Sequence, residues 1–168
     1  MTLYYHFTAL ERLPDIGQSG LSRGDVPTSP TTGTQAVWLT TDPEPGGHGL
    51  ADGARPLTDQ ERRAHRQWTG KEVPADASWP DKRRIRFTVD LEPDELILRR
   101  WSEWSVSNGV SRAWRKTLER AGGAKSRTWW LYFGTIPVER LTAIDLQTGQ
   151  ALPGWPEAFK GAARLERV

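Results

Sequence analysis

Tyr4-Tyr5-His6-Phe7-Thr8 is the stretch on which the reading of this chain turns. It is an aromatic run long enough for one short strand, and period-two alternation puts His6 and Thr8 on one face of it. A helix-like run, Ala9 to Gly20, follows at once, and a second short strand, Ala36-Val37-Trp38-Leu39-Thr40-Thr41, comes after an intervening loop. A His/Thr pair at a sheet edge, facing a second strand that carries Thr40, is one way to hold a nucleotide ribose. Imidazole and hydroxyl can both donate and accept hydrogen bonds to a sugar. The other reading is structural: a histidine satisfied inside the sheet, with Thr8 capping the helix that begins at Ala9.

Working outward, Ala9, Leu10, Leu13, Ile16 and Leu21 recur at helical spacing, with Ser19-Gly20 as the stop and Pro14 limiting regularity. Residues 22–35 are rich in Gly, Pro, Ser and Thr and read as loop. The strand at 36–41 ends at Asp42-Pro43. Residues 42–81 then form a long irregular insertion, of the kind that is either mobile or a functional lid. Within it, Thr58-Asp59-Gln60-Glu61 resembles a helix start, followed by a charged run to Trp68. The second half is more regular. Ile85, Phe87, Val89 and Leu91 alternate with polar residues as a half-buried strand, and Val110, Trp114 and Leu118 mark a helix over 107–121 that Gly122-Gly123 stops. Strands are expected at 129–133 and 141–146, a turn-rich linker at 148–156, and a small helix in the last dozen residues. Without a regular βαβ rhythm, this order implies a single α+β domain spanning 1–168.

At 168 residues the chain can bury a sizeable core. Its 23 basic and 21 acidic residues nearly balance, so charge alone does not mark a nucleic-acid binder. The absence of cysteine excludes disulfides, thiolate metal sites and cysteine nucleophiles. No signal-like pattern opens the chain and no long apolar run occurs, so a soluble, cytoplasmic protein without a membrane partner is the expectation. Nine tryptophans either build a compact core or line a pocket for flat rings.

Several residues could carry chemistry. Arg23 either clamps a phosphate or is solvated; Trp38, sharing its strand face with Thr40, is a core plug or a pocket wall. Arg99-Arg100-Trp101-Ser102-Glu103-Trp104 could stack a base and orient a hydroxyl, or fold its indoles back onto the sheet. In Trp129-Trp130-Leu131-Tyr132-Phe133 one face must be core and the other is either covered or open to ligand. His6, His48 and His65 lack metal-ligand spacing, so no metal is expected. Gly46-Gly47-His48-Gly49 does not sit between a strand and a helix, which argues against a phosphate loop, and no Gly-x-Ser-x-Gly elbow occurs. Lys82-Arg83-Arg84 with Arg86 could touch nucleic acid, although part of it is the solvated face of a strand.

Tyr5-His6-Phe7-Thr8, Leu13-x-x-Ile16, Ser19-Gly20-Leu21 and Val37-Trp38-Leu39-Thr40 together resemble the opening of the ADP-ribosyltransferase superfamily. The nearest likeness is to its DNA-targeting toxins and to the RNA 2′-phosphotransferases. Ile136-Pro137 followed by Leu141 and Ile144 resembles the last part of that fold. The chain is also similar to uncharacterised proteins of phages and actinobacteria that share the Val-Trp-Leu-Thr and Trp-Trp strands. The resemblance covers about the first 41 residues and residues 128–146. It implies a twisted, largely antiparallel split sheet with flanking helices, and a cleft for NAD. Within that cleft His6 and Thr8 would hold ribose, Arg23 would meet the pyrophosphate, and Trp38, Thr40 and Tyr132 would frame the nicotinamide. The pattern departs in one respect. Many members carry a catalytic glutamate where Trp129 and Trp130 stand here, and no carboxylate lies between Arg120 and Glu139. That glutamate stabilises oxocarbenium-like charge as nicotinamide leaves, and an indole cannot. Glu103 is the one carboxylate nominated in its place.

The expectation is therefore an NAD-binding, ADP-ribosyltransferase-like protein modifying a protein or nucleic-acid acceptor. The alternative is a catalytically inactive relative, such as a phage accessory or anti-defence factor, that binds a nucleotide or a protein. A plain nucleic-acid binder is the third option.

Overall fold

The computed structural model describes residues 2–22, 24–92 and 94–160. Their strands are β1 Tyr4–Thr8, β2 Asp25–Pro27, β3 Gly33–Gln35, β4 Val37–Thr40, β5 Ile85–Val89, β6 Leu98–Arg100, β7 Trp129–Tyr132, β8 Leu141–Asp145 and β9 Gln150–Ala151. The helices are α1 Leu13–Ser19, α2 Asp59–Thr69, α3 Trp101–Ser107, α4 Arg112–Ala121 and α5 Glu157–Lys160, with short 3-10 turns at Leu10–Arg12, Gly123–Thr128 and Val138–Arg140. Seven strands form one sheet in the order β6-β7-β4-β1-β5-β8-β9, and every neighbouring pair is antiparallel. A separate hairpin, β2-β3, occupies part of the stretch expected to be loop.

Both faces of the sheet are covered. On one, Tyr4, Val37, Leu39, Ile85, Phe87, Val89, Leu141 and Ala143 pack with Leu13 and Ile16 of α1 and with Phe159 of α5. On the other, Leu131 and Trp129 pack with Trp38, with Trp101 and Trp104 of α3, and with Leu118 of α4. The alternation of Ile85, Phe87 and Val89 with half-buried Arg86 and Thr88 is what one apolar strand face over a core requires. Four of the nine tryptophans, Trp38, Trp101, Trp104 and Trp129, build this second core: Trp101 is fully buried, with Trp38 at 5.2 Å and Trp104 at 6.1 Å between ring centroids.

Local signals set the helix ends. Pro14 is tolerated in α1 because it falls in the first turn, where its missing N–H has no partner to lose. Gly20 closes α1 with φ +73°, and the Ile136 carbonyl sits where a β-carbon would project. Leu21 and Ile136 exchange backbone hydrogen bonds of 2.9 and 2.8 Å across that contact. The helix read over 107–121 starts later, at Arg112: α3 ends at Ser107, and Ser111 caps α4 by accepting from the Trp114 N–H at 3.2 Å.

The insertion at 42–81 is more ordered than its composition suggests. Asp52 bridges Asp81 and Pro56 bridges Ser78, giving a short antiparallel ribbon. Hydrogen bonds from Leu57 to Ala77 (2.8 Å), Trp79 to Arg55 (3.1 Å) and Lys82 to Ala51 (2.9 Å) tie it together. At its tip α2 starts at the expected place, with Thr58 and Glu61 forming a reciprocal capping box and Gly70 the left-handed stop. None of the helices is long and apolar enough to cross a membrane, among the described residues.

Candidate functional site

The sheet has a weak line, and His6 lies on it. β1 pairs with β5 at five successive positions but with β4 at one, Tyr5 opposite Thr40. The ladder is thus nearly split into a β6-β7-β4 part and a β1-β5-β8-β9 part. At this seam the His6 ring takes the place of a backbone donor: its Nδ1 lies 2.9 Å from the Trp38 carbonyl oxygen. A carbonyl only accepts, so Nδ1 carries the hydrogen and Nε2 is left as an acceptor in the neutral ring. Burial pushes the His6 pKa below its ordinary value, the Trp38 carbonyl pulls the other way, and the nearby Lys82 ammonium adds to the lowering. The ring stacks on Phe87 at 6.5 Å between centroids.

The residues expected around a common ribose and nicotinamide pocket do not share a face. Residues paired across an antiparallel ladder point the same way, so Thr40 lies on the side of Tyr5. Trp38, two residues away on β4, lies there too. His6 and Thr8, opposite Phe87 and Ile85, lie on the other side. Tyr132 is opposite Val37 and belongs to the His6 side, which separates it from Trp38 as well. The polar groups of Thr40, Trp38 and Tyr132 are also already engaged. The Thr40 hydroxyl lies 2.7 Å from that of Thr128 and accepts from the Asp42 N–H at 3.0 Å. Since Thr128 donates to the Lys125 carbonyl at 2.7 Å, Thr40 donates to Thr128 and has no hydrogen left to offer a ligand. The Trp38 indole N–H donates to the Asp25 carbonyl at 2.9 Å. Tyr132 is buried and shares Glu95 with Arg140, whose guanidinium lies 2.6 Å from that carboxylate. Burial, then the Glu95 carboxylate, raises the Tyr132 pKa. Thr8 is buried, without the helix-capping bond considered for it. Glu103 is exposed on α3, apart from the seam. Arg23 lies outside the described residues.

The β7 positions where a transfer glutamate was sought are filled structurally. Trp130 packs edge-on against Tyr4 at 5.5 Å under the Arg100 guanidinium at 5.1 Å. Trp129 donates its indole N–H to His48 Nδ1 at 2.9 Å.

Sequence reasoning passed over two features. The first is His48 itself. Only 5% of its side chain is exposed, and the ring lies between Phe7 at 5.9 Å and Trp129 at 6.5 Å. Because Nδ1 accepts from an indole, the neutral ring carries its proton on Nε2. That atom is buried without a hydrogen-bond partner, with Asp42 Oδ2 at 3.9 Å. Burial and then Lys125 lower the His48 pKa, against opposition from Asp42 and the Glu44 carbonyl. Asp42 is held 2.7 Å from Lys125 Nζ. Burial alone would raise the Asp42 pKa, but Lys125 overrides this and keeps it below the ordinary value. The only advance signal was the glycine on either side: Gly47 and Gly49 take φ +80° and +72°, letting the backbone press against Lys125 and Ala121. The second feature is a cleft of about 460 Å³ along the insertion ribbon, lined by Ala51, Asp52, Arg55, Trp79, Lys82 and Arg83 among others.

Among the described residues no cluster of His, Cys, Asp or Glu could hold a metal ion. Comparison with protein-family models, with curated proteins and with solved structures finds no match to this chain.

Proposed function

We propose that this chain is an ADP-ribosyltransferase-like protein that binds an NAD-type nucleotide at the β1/β4 seam and does not transfer ADP-ribose. One observation carries the reading: His6 sits on the near-split of the sheet, where the likeness drawn from the sequence would put the ribose contact. With Nδ1 committed to the Trp38 carbonyl and the ring held neutral, Nε2 suits a ribose hydroxyl as donor. Trp38, Thr40 and Tyr132 take no part, because their polar groups are engaged elsewhere and they divide between the two faces. The absence of transfer follows from the site's chemistry: Trp129 and Trp130 occupy β7, and Glu103 is solvent-exposed on α3.

The test is calorimetric titration of NAD into the wild type and His6→Ala, beside an assay for released nicotinamide. Heat in the wild type alone, with no nicotinamide released by either, is the expected result. A silent wild-type titration removes the nucleotide. Nicotinamide release that Glu103→Gln abolishes would restore the transferase reading.

A further inference from the structure

The seam leaves unexplained a cluster of cations in the insertion, and this points to a second site. We propose that the ribbon cleft binds a small phosphate ester or pyrophosphate through Lys82 and Arg83. Among the described residues many cations are matched by a carboxylate: Arg55 with Glu61, Arg62 with Asp59, Arg66 with Glu72, Arg84 with Asp145, Lys125 with Asp42 and Arg140 with Glu95. In the cleft, Lys82 has, among the described residues, neither a salt-bridge nor a hydrogen-bond partner for its ammonium group. Arg83 uses only Nε, donating to the Leu50 carbonyl at 3.0 Å, and keeps its terminal amino groups free.

Two neighbouring residues can line one hollow because residues 82 and 83 form a turn and not a strand, in which successive side chains would diverge. The turn is fixed on both sides. Asp81 accepts from the Arg83 N–H at 2.9 Å, and the Lys82 N–H donates to Ala51 at 2.9 Å. Gly53 lies against Asp81 so closely that a β-carbon would stand 3.1 Å from that residue's own, and φ +74° reserves the position for glycine. The backbone that carries both side chains, and the Arg83 guanidinium through its Nε, are therefore held in place before any ligand arrives, which lowers the ordering cost of binding.

The lining also selects the ligand. Arg55 is neutralised by a two-pronged contact with Glu61 at 2.8 and 3.1 Å, so it contributes shape more than charge. Lys82 and Arg83 then face Asp52 across the lining, while the Asp81 carboxylate beside them is turned to the Arg83 N–H. A compact ammonium beside a planar guanidinium can serve several oxygens of one anion, which fits a phosphate group better than a singly charged carboxylate. Trp79 supplies an apolar wall beneath Arg55, 5.4 Å from ring centre to guanidinium, for the ester's organic part. The volume lies within the range of small-molecule sites. Lys82 lies near enough to His6 to act on its charge, but the two readings separate by experiment: a chain that ignores NAD and takes up pyrophosphate satisfies this site alone.

The experiment is calorimetric titration of inorganic pyrophosphate into the wild type, Lys82→Glu and Lys116→Glu. Lys116 is an exposed cation on α4, in a different groove, and controls for the change in net charge. Thermal melts establish that all three are folded. Binding by the wild type, weakening of roughly tenfold or more in Lys82→Glu, and an unchanged affinity in Lys116→Glu are expected, as for loss of one charge-assisted contact. A wild type that does not bind, a Lys82→Glu variant that binds equally well, or equal losses in both variants would overturn the site.

Discussion

His48 shows how one buried ring can govern the pH response of the molecule. In the unfolded chain a histidine titrates near pH 6.5, whereas burial and Lys125 hold the folded His48 lower. Below about pH 6.5 the unfolded state thus takes up a proton that the folded state refuses, and stability falls as pH drops toward the folded value. His6 acts in the same direction, also through burial. Protonating His48 at Nδ1 would in addition set two donors against each other at the Trp129 indole. Asn at position 48 can present a carboxamide oxygen to that indole and does not titrate. The thermal midpoint of the wild type should therefore fall between pH 7 and pH 5, roughly the window set by the ordinary histidine pKa, and less steeply in His48→Asn. Parallel profiles would show that His48 is not a source of the slope. His48→Ala, which leaves a buried indole N–H unpaired, should cost on the order of 1–3 kcal/mol by denaturant unfolding at neutral pH. None of this was legible from residue type. A lone histidine among glycines offers no metal spacing, and its partner Trp129 lies 81 positions away in the chain.

At the scale of elements the sequence spoke most clearly where a signal is local. Apolar alternation placed β5, the Thr58/Glu61 pair placed the start of α2, and Gly20 and Gly122 placed the ends of α1 and α4. What it could not supply was the register between strands distant in the chain. His6 and Thr40 each sit correctly on a strand, yet one pairing, Tyr5 with Thr40, sends them to opposite faces. The cluster from Arg99 to Trp104 hid two elements because β6 passes into α3 without a turn, at Arg100 and Trp101. Two substitutions probe the elements directly. Thr58→Ala removes the capping box and should weaken α2 by about 1 kcal/mol. The loss should appear as faster amide exchange at residues 59–69 with little movement of the global midpoint, since α2 sits at the tip of the ribbon. Gly122→Ala has permitted backbone angles, but its methyl group would run into the Trp129 indole. Overpacking of this kind should cost about 1–3 kcal/mol in chemical denaturation. A Gly122→Ala protein of wild-type stability would mean that the indole moves aside freely.

For the molecule as a whole, an α+β domain was foreseeable from the order of elements and the antiparallel sheet from the resemblance alone, while the division of Trp38, Trp101, Trp104 and Trp129 from Trp130 and Trp155 across the sheet was not foreseeable. That division gives the sheet an apolar cluster on each side, so Trp101→Ala should be among the costliest single changes, about 3–5 kcal/mol by denaturant midpoint. Amide exchange should be slowest where β5 is flanked on both sides by five-residue ladders and fastest, within the central strands, along the β1/β4 border. That border has a further property. The two parts of the sheet meet at a single rung, yet the chain passes between them four times, from β1 to β4, β4 to β5, β5 to β6 and β7 to β8. The join is light in hydrogen bonds and heavily stitched by covalent thread. What keeps such a construction shut is the glue on its cover: Val37 and Leu39 of one part share an apolar layer with Tyr4 and Phe87 of the other.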